Sequence, residues 1–262
     1  MRESFLDGVR PEIVKAVARL KQEMPPARWQ ERALQKGVPP DFRVSLTRAG
    51  SLNIIAEIKK ASPSRGVLRE SLDPIALAQQ YEAHGAAAIS VVTEEKHFSG
   101  SIRSLAQIAD RCSLPILRKD FILDAVQIAE ARINGAAAVL LIVAFLPSDH
   151  LRDLIHDCST YSLAALVEVH DEEELYRATE AGASMIGVNN RDLRSLTVDL
   201  GIAERVIRHK RSGQVFISES GLSSNLQLRA LRAMGYDAFL IGEHLVRAAD
   251  PGAELDRLRD LS

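Results

Sequence analysis

NGAAAVLLIV, residues 134–143, joins a glycine to an apolar run suited to a buried strand. Three further segments repeat the arrangement: HGAAAISVV at 84–92, AGASMIGV at 181–188 and MGYDAFLIG at 234–242. Each is a glycine, a few mostly small residues and a β-prone run, and such self-similarity marks a repeated structural unit. Glycine closes a helix well because it enters the left-handed conformation without a Cβ penalty, after which the chain turns into the next element. The unit is therefore helix, glycine, strand.

The segments leading into these glycines have helical periodicity and chemically sensible starts. DPIALAQQYEAH offers Asp73 as N-cap with Pro74 at the first helical position, DAVQIAEARIN starts on Asp124, and DEEELYRATEA stacks acidic residues at the positive end of its helix. SIRSLAQIADRC, SDHLRDLIHDCS, DLGIAERVIRHK and SSNLQLRALRAM continue the pattern, the last with Ser223 as expected N-cap. Between them strands are expected near 53–59, 87–93, 115–119, 138–143, 163–168, 185–189, 214–218 and 237–241. Eight continuous apolar strands alternating with helices predict a parallel sheet covered on the outside and closed on itself, the (β/α)8 TIM barrel of the α/β class. An open doubly wound sheet is the alternative, but no GxGxxG follows any strand.

A chain of 262 residues is long enough for one such fold with a sizeable core. The formal net charge of -2 supplies no field for polyanions, so nucleic acid is not an expected partner. Cys112 and Cys158 have no CxxC or Cys/His spacing, which argues against a disulfide framework or a zinc site and for a reducing, cytoplasmic compartment. MRESFLDGVR lacks the apolar segment of a signal peptide, and AAAVLLIVAFL is too short to span a bilayer, so no membrane role is expected.

Residues 1–45 do not follow the repeat and read as an N-terminal helical extension to a barrel over 46–262, within a single domain. PEIVKAVARLKQEM and ARWQERALQKG are helical on either side of a Pro-Pro break at 25 and 26. Two placements are open: a plug or interface at the bottom of the barrel, or a cover over its top.

Active sites of such barrels lie at the C-terminal ends of the strands, so the polar residues there carry the functional information. In IIAEIKKASPSRG, 54–66, period-2 alternation puts Glu57 and Lys59 on one face and Lys60 on the other. The third strand ends in LRKDF with Lys119 and the fifth in LVEVH with Glu168. The sixth ends in GVNNRDL with Asn189, Asn190 and Arg191, and the seventh in ISESG with Glu219 and Ser220. Two lysines and three glutamates thus converge on one mouth, where neighbouring charges push pKa values apart and hold an acid and a base at the same pH. Ser220-Gly221 and Gly242 each precede a helical start, the arrangement that binds phosphate after the seventh and eighth strands of many barrels. SPSRG could add Ser62, Ser64 or Arg65 to that rim. Glu243 would repel a phosphate unless its backbone N–H, not its side chain, faced the anion.

IAEIKKASPSRG, ISVVTEEKHFSGS, ILRKDFI, LLIVAFL, LVEVH, IGVNNRDL and ISESGL, in this order, resemble the indole-3-glycerol-phosphate synthase family over about residues 42–248. The resemblance implies a carboxy-lyase of tryptophan biosynthesis. Its substrate would be 1-(2-carboxyphenylamino)-1-deoxyribulose 5-phosphate, closed to indole-3-glycerol phosphate with loss of carbon dioxide and water, and with neither metal nor cofactor. It also implies residue roles. Lys119 would be the general acid and Glu168 the carboxylate that assists loss of water. Lys59 would bind the substrate carboxylate or share the acid role, and Glu57 would set the charge of the lysines. Asn189 would hold a substrate hydroxyl, Arg191 would support its loop, and Glu219 and Ser220 would complete the polar wall. Ser62, Gly221, Gly242 and Glu243 would line the phosphate, and Phe98, Phe121, Leu140 and Leu193 would seat the ring. His97 and Glu243-His244 depart from the residues usual in the family, and His170 reads as a loop residue. The expected partner is a phosphorylated small molecule bound by a monomer, with other enzymes of the tryptophan pathway as further partners.

Three other readings make distinct demands. A barrel aldolase would use Lys119 or Lys59 as a Schiff-base nucleophile. A phosphoribosyl isomerase of the same pathway would need a Cys/Asp pair at strand ends, whereas both cysteines fall in helical segments. A non-catalytic metabolite-binding barrel would tolerate loss of Lys119 and Glu168.

Overall fold

The computed structural model describes residues 5–63, 65–192, 195 and 197–261. Eight strands build the barrel. They are β1 (Asn53–Ile58), β2 (Ala88–Val92), β3 (Ile116–Lys119), β4 (Ala138–Ile142), β5 (Ala164–Val169), β6 (Met185–Asn189), β7 (Val215–Glu219) and β8 (Ala238–Ile241). Consecutive strands pair in parallel, and β8 pairs with β1 from Asn53 opposite Ala238 to Ala56 opposite Ile241, which closes the sheet. Ala61–Ser62 and Gly66–Val67 form a small antiparallel ribbon just past β1.

Helices α4 (Pro74–Ala83), α5 (Ile102–Ala109), α6 (Ala125–Ile133), α7 (Ser148–Thr160), α8 (Glu172–Glu180), α9 (Gly201–Val206) and α10 (Asn225–Met234) follow strands β1 to β7 in turn. After β8 come α11 (Glu243–Arg247) and α12 (Pro251–Arg259). Their starts follow local chemistry: Asp73 accepts from the backbone N–H of Ile75 and Ala76, and Asp124 closes a capping box with Gln127. At α10 the cap is Ser224, not Ser223, because Ser224 stands three residues before Gln227 and completes the reciprocal pair of hydrogen bonds. Gly85, Gly135, Gly182 and Gly235, the glycines of the four repeats, all have φ between 74° and 113°. An L side chain there would be strained, which is why glycine recurs at each of these turns.

Apart from Lys119, Ala164 and Ala165, which are half-buried, the strands are buried on both faces, which accounts for the continuous apolar runs. On β1, Ile54, Ala56 and Ile58 face the surrounding helices, while Ile55 joins the barrel interior with Leu117, Leu140, Leu166, Ile217 and Leu240. Cys158 on α7 and Cys112, just past α5, are free thiols away from the strand ends.

The N-terminal segment divides between both expected placements. α1 (Phe5–Glu23) lies over the C-terminal mouth: Arg10 donates to the carbonyl of Phe145 past β4, Glu12 pairs with Lys96 past β2 at 3.5 Å, and Lys21 pairs with Asp124 past β3 at 2.5 Å. The apolar pattern alone predicts a start at Pro11, yet the helix begins earlier and runs through it. Leu6, Val9 and Ile13 explain this, since each buried side chain contributes about 1.5–3 kcal/mol against about 3 kcal/mol for an interior proline. α3 (Phe42–Leu46) closes the opposite end, where Phe42 and Leu46 enter the interior cluster and Asn53 Nδ2 donates to the carbonyls of Leu46 and Asp237. Between them α2 (Pro26–Leu34) buries Trp29 and Ala33 in the outer core, and Arg132 of α6 donates to the carbonyls of Lys36 and Gly37 just past it.

Candidate active site

The four odd-numbered strands end alike. Ile55, Leu117, Leu166 and Ile217 are each fully buried in the interior, and two residues further on the same inward face carries Glu57, Lys119, Glu168 and Glu219. Alternate strands contribute to common layers, so one apolar ring supports one ionisable ring. Even-numbered strands make room for it. A side chain at Gly187 would run into the Glu219 carboxylate, and one at Gly242 into that of Glu57.

Lys119 Nζ lies 3.3 Å from Glu168 Oε2 and 3.4 Å from Glu219 Oε2, and Lys59 Nζ lies 2.5 Å from Glu57 Oε1. The three carboxylates are 1–2% exposed, so the charges interact with little water between them. Burial opposes charge on Lys119, but Glu168, Glu219 and Glu57 outweigh it and hold the ammonium well above its ordinary pKa. Glu57 and Glu168 are likewise disfavoured by burial, yet held below the usual carboxylate range. Lys59 and Lys119 act on Glu57, and Lys119, His170 and Asn189 act on Glu168. Glu219 goes the other way. Burial, with Glu168 and Glu57 nearby, pushes it up to about 7 against the pull of Lys119. With all five groups ionised the cluster would carry one excess negative charge, and protonation of Glu219 removes it.

Lys60 is exposed, as the alternation predicts. Asn189 accepts the Arg191 N–H through Oδ1 at 3.0 Å, and Arg191 bridges in antiparallel fashion to Val198. Asn190 serves the frame: its amide donates to Ser218 Oγ and to the carbonyls of Glu219 and Ser220, and its oxygen accepts the Ala203 N–H.

A cavity of about 840 Å³ opens above this ring and is lined by every predicted site residue that the structure describes. Leu193 and Ser64 lie outside the described residues. One wall is apolar and aromatic: Phe98 and Phe121 have ring centroids 6.5 Å apart, Leu140 is buried nearby, and Phe5 of α1 stands edge-on to Phe121 at 6.1 Å and to His97 at 5.3 Å. Glu94 sets this wall, its buried carboxylate accepting the N–H groups of Lys96, His97 and Phe98 at 2.7–3.1 Å. Phe5 was not legible as a site residue, because it precedes the recognisable helical pattern and reaches the mouth through tertiary packing alone.

The opposite wall is the polar rim. Ser62 Oγ is buried without a hydrogen-bond partner among the described residues. Ser220 and Gly221 both have positive φ, at 67° and 78°. Any side chain at Gly221 would also strike Val198, so this turn needs glycine for conformation and for space. The carboxylate of Glu243 is 3.2 Å from Arg65 and 3.6 Å from Arg247. Two guanidinium groups therefore offset the charge that made Glu243 discordant in the sequence.

A closed parallel barrel with an ammonium shared by carboxylates of opposed protonation, between an aromatic wall and a polar rim, defines an acid–base enzyme of the (β/α)8 class. The family model for indole-3-glycerol phosphate synthase matches residues 6–258. The chain belongs to the indole-3-glycerol phosphate synthase family, decarboxylating carbon–carbon lyases of tryptophan biosynthesis. The indole-3-glycerol phosphate synthase of Chlorobium chlorochromatii is 45% identical over 244 residues, covering 92% of this chain and 95% of that one. That of Carboxydothermus hydrogenoformans is 48% identical over 232 residues, covering 87% and 88%. Among solved structures, 3-hexulose-6-phosphate synthase from Salmonella typhimurium superposes with a TM-score of 0.61 at 13% identity. It covers 79% of this chain and 96% of that chain, a likeness of fold alone. Among the described residues no helix is long and apolar enough to cross a membrane, and no cluster of three His, Cys, Asp or Glu could hold a metal ion.

Proposed function

We propose that this site closes the indole ring of 1-(2-carboxyphenylamino)-1-deoxyribulose 5-phosphate by proton transfers centred on Lys119. The observation that carries the reading is one ammonium within 3.4 Å of two buried carboxylates whose pKa values are driven in opposite directions. The benzoate ring sits on Phe98, Phe121, Leu140 and Phe5, with its carboxylate toward Lys59. The phosphate is anchored at Ser62, Gly221, Gly242 and the backbone of Glu243, beside Arg65 and Arg247. Held at both ends, the flexible substrate is folded so that the ring carbon bearing the carboxylate meets the ketone carbon.

Lys119 donates its proton to the ketone oxygen as the carbon–carbon bond forms, and loss of carbon dioxide restores the aromatic ring. The apolar wall around the ring favours that loss because the neutral carbon dioxide and the restored aromatic ring are better accommodated there than the charged carboxylate. Glu168 then takes a proton from the neighbouring carbon while the hydroxyl departs with the proton of Glu219. Asn189 holds a substrate hydroxyl, Ser220 completes the polar wall, and Arg191 keeps the loop past β6 in place. The protein acts in the cytoplasm as a monomer on a phosphorylated small molecule, with other tryptophan-pathway enzymes as further partners. Its two free thiols support that compartment.

The test is incubation with this substrate while following indole fluorescence. A rise matched by carbon dioxide release is expected, and no rise from folded protein would overturn the reading. In the same assay Phe5→Ala should raise KM about tenfold with little change in kcat, since edge-on aromatic contacts contribute about 0.5–1.5 kcal/mol each. The ring neighbours of Phe5 are His97, Phe98 and Phe121, none of them assigned to proton transfer.

Glu219 also gives a stability signature. Its folded pKa of about 7 exceeds the ordinary 4.5, so the stability it contributes is complete below pH 4.5 and is lost as pH rises through 7. Glu219→Gln should therefore gain Tm relative to wild type as pH rises from 5 to 8. Parallel melting curves across that range would contradict a proton held on Glu219.

A further inference from the structure

Lys119 stands almost midway between Glu168 and Glu219, at 3.3 and 3.4 Å, and both carboxylates are almost fully buried. Neither burial nor the shared ammonium decides which of them keeps its negative charge. Their remaining surroundings do. Behind Glu168, His170 places Nε2 3.5 Å from Oε1, and this nitrogen makes no well-aligned hydrogen bond among the described residues. The other ring nitrogen, Nδ1, lies 2.9 Å from Glu174 Oε2, and the same oxygen accepts the His170 backbone N–H at 2.9 Å. Glu174, in the first turn of α8, so fixes the imidazole at two points. A carboxylate against each ring nitrogen leaves no use for an acceptor on either, so both carry hydrogen and the ring is cationic. Glu219 has no such neighbour: neither of its oxygens makes a hydrogen bond among the described residues, and the space beside Oε1 is kept by Gly187.

We infer that the Glu174–His170 pair is the positioning device that makes Glu168 the base of this site and leaves Glu219 to carry the proton. The inference rests on the acid–base reading given above. Glu168 is faced by Lys119 from β3, Glu57 from β1, Glu219 from β7 and His170 from its own strand end, and His170 is faced by Glu168 and Glu174. Lys119 is common to both carboxylates, so His170 is the cation that distinguishes them. Consistent with this, burial works against charge on the imidazole, yet the two carboxylates raise it to about 10. His170 therefore stays protonated throughout the neutral range.

The test compares wild type, His170→Asn, Glu174→Gln and Glu168→Gln, with kcat and KM measured from pH 5 to 9. His170→Asn should lose about 10- to 100-fold in kcat with KM within about threefold. It should also show a falling rate toward low pH that wild type lacks, as Glu168 gains a proton more easily. Glu174→Gln should show the same acid limb with a smaller loss, because an amide still accepts the Nδ1 hydrogen but no longer holds the ring cationic. If His170→Asn does not melt cooperatively, Glu174→Gln, which retains the imidazole, decides alone. Wild-type kcat and pH profiles in both variants, beside an impaired Glu168→Gln, would overturn the inference. A Glu168→Gln variant as active as wild type would instead overturn the acid–base reading beneath it.

Discussion

Lys119→Met is expected to lower kcat by about 10²- to 10⁴-fold while leaving KM nearly unchanged, the range for removal of a positioned acid. Substrate is held by the aromatic wall and the phosphate rim, neither of which contains Lys119, so affinity should survive. The reaction loses the preorganised cation that neutralises the oxygen during bond formation, a charge that a neutral water molecule does not supply. Folding should suffer as well. Glu168 and Glu219 would be left without the cation they share, and removal of one partner of a buried ion pair typically costs about 3–5 kcal/mol. The sign of the pH dependence follows. Without Lys119 the Glu219 carboxyl, already raised above its unfolded value, is pushed further up, so the variant should recover stability as pH falls and lose it as pH rises. Thermal melts at pH 5 and pH 8 read this directly, and a deficit that does not shrink at pH 5 would contradict it.

Glu168→Gln should lower the rate of indole formation by about 100-fold or more, but with a different signature. Glu168 acts after carbon–carbon bond formation, in the loss of water. Carbon dioxide release should therefore outpace the fluorescence rise in a single turnover, whereas in Lys119→Met both should slow together. Equal slowing of the two signals in Glu168→Gln would place this carboxylate at an earlier step. Gln retains the shape of Glu168 and a hydrogen bond toward Lys119, which keeps the comparison free of a packing defect.

The barrel was legible because its information is local. A glycine that must turn left-handed and the apolar run behind it are neighbours at 134–143, and Asp124 caps the helix that leads into them. The ionisable ring was legible for the same reason, since period-2 alternation carries Ile55 to Glu57 and Leu166 to Glu168. What escaped depends on contacts between distant segments. Phe5 reaches the mouth only because α1 folds across it, and Glu243 is offset by Arg65, far away in sequence, as well as by Arg247. His170 read as a loop residue because nothing in VEVHDEEE distinguishes a solvated histidine from one clamped between Glu168 and Glu174. Gly187 and Gly242 illustrate a further limit. Their lack of a side chain serves carboxylates on neighbouring strands, and no local pattern records that. Ser223 was the expected cap of α10, and only the reciprocal bond from Gln227 shows that Ser224 takes that place.

The central claim is that the two lysines at the mouth move protons and bind charge without forming a bond to substrate. The most direct measurement is intact-mass analysis after turnover in the presence of cyanoborohydride, which reduces any imine between a lysine and the substrate ketone to a stable amine. The account predicts an unmodified chain while indole-3-glycerol phosphate accumulates. A substrate-sized adduct located on Lys119 or Lys59, with turnover arrested in proportion, would contradict it.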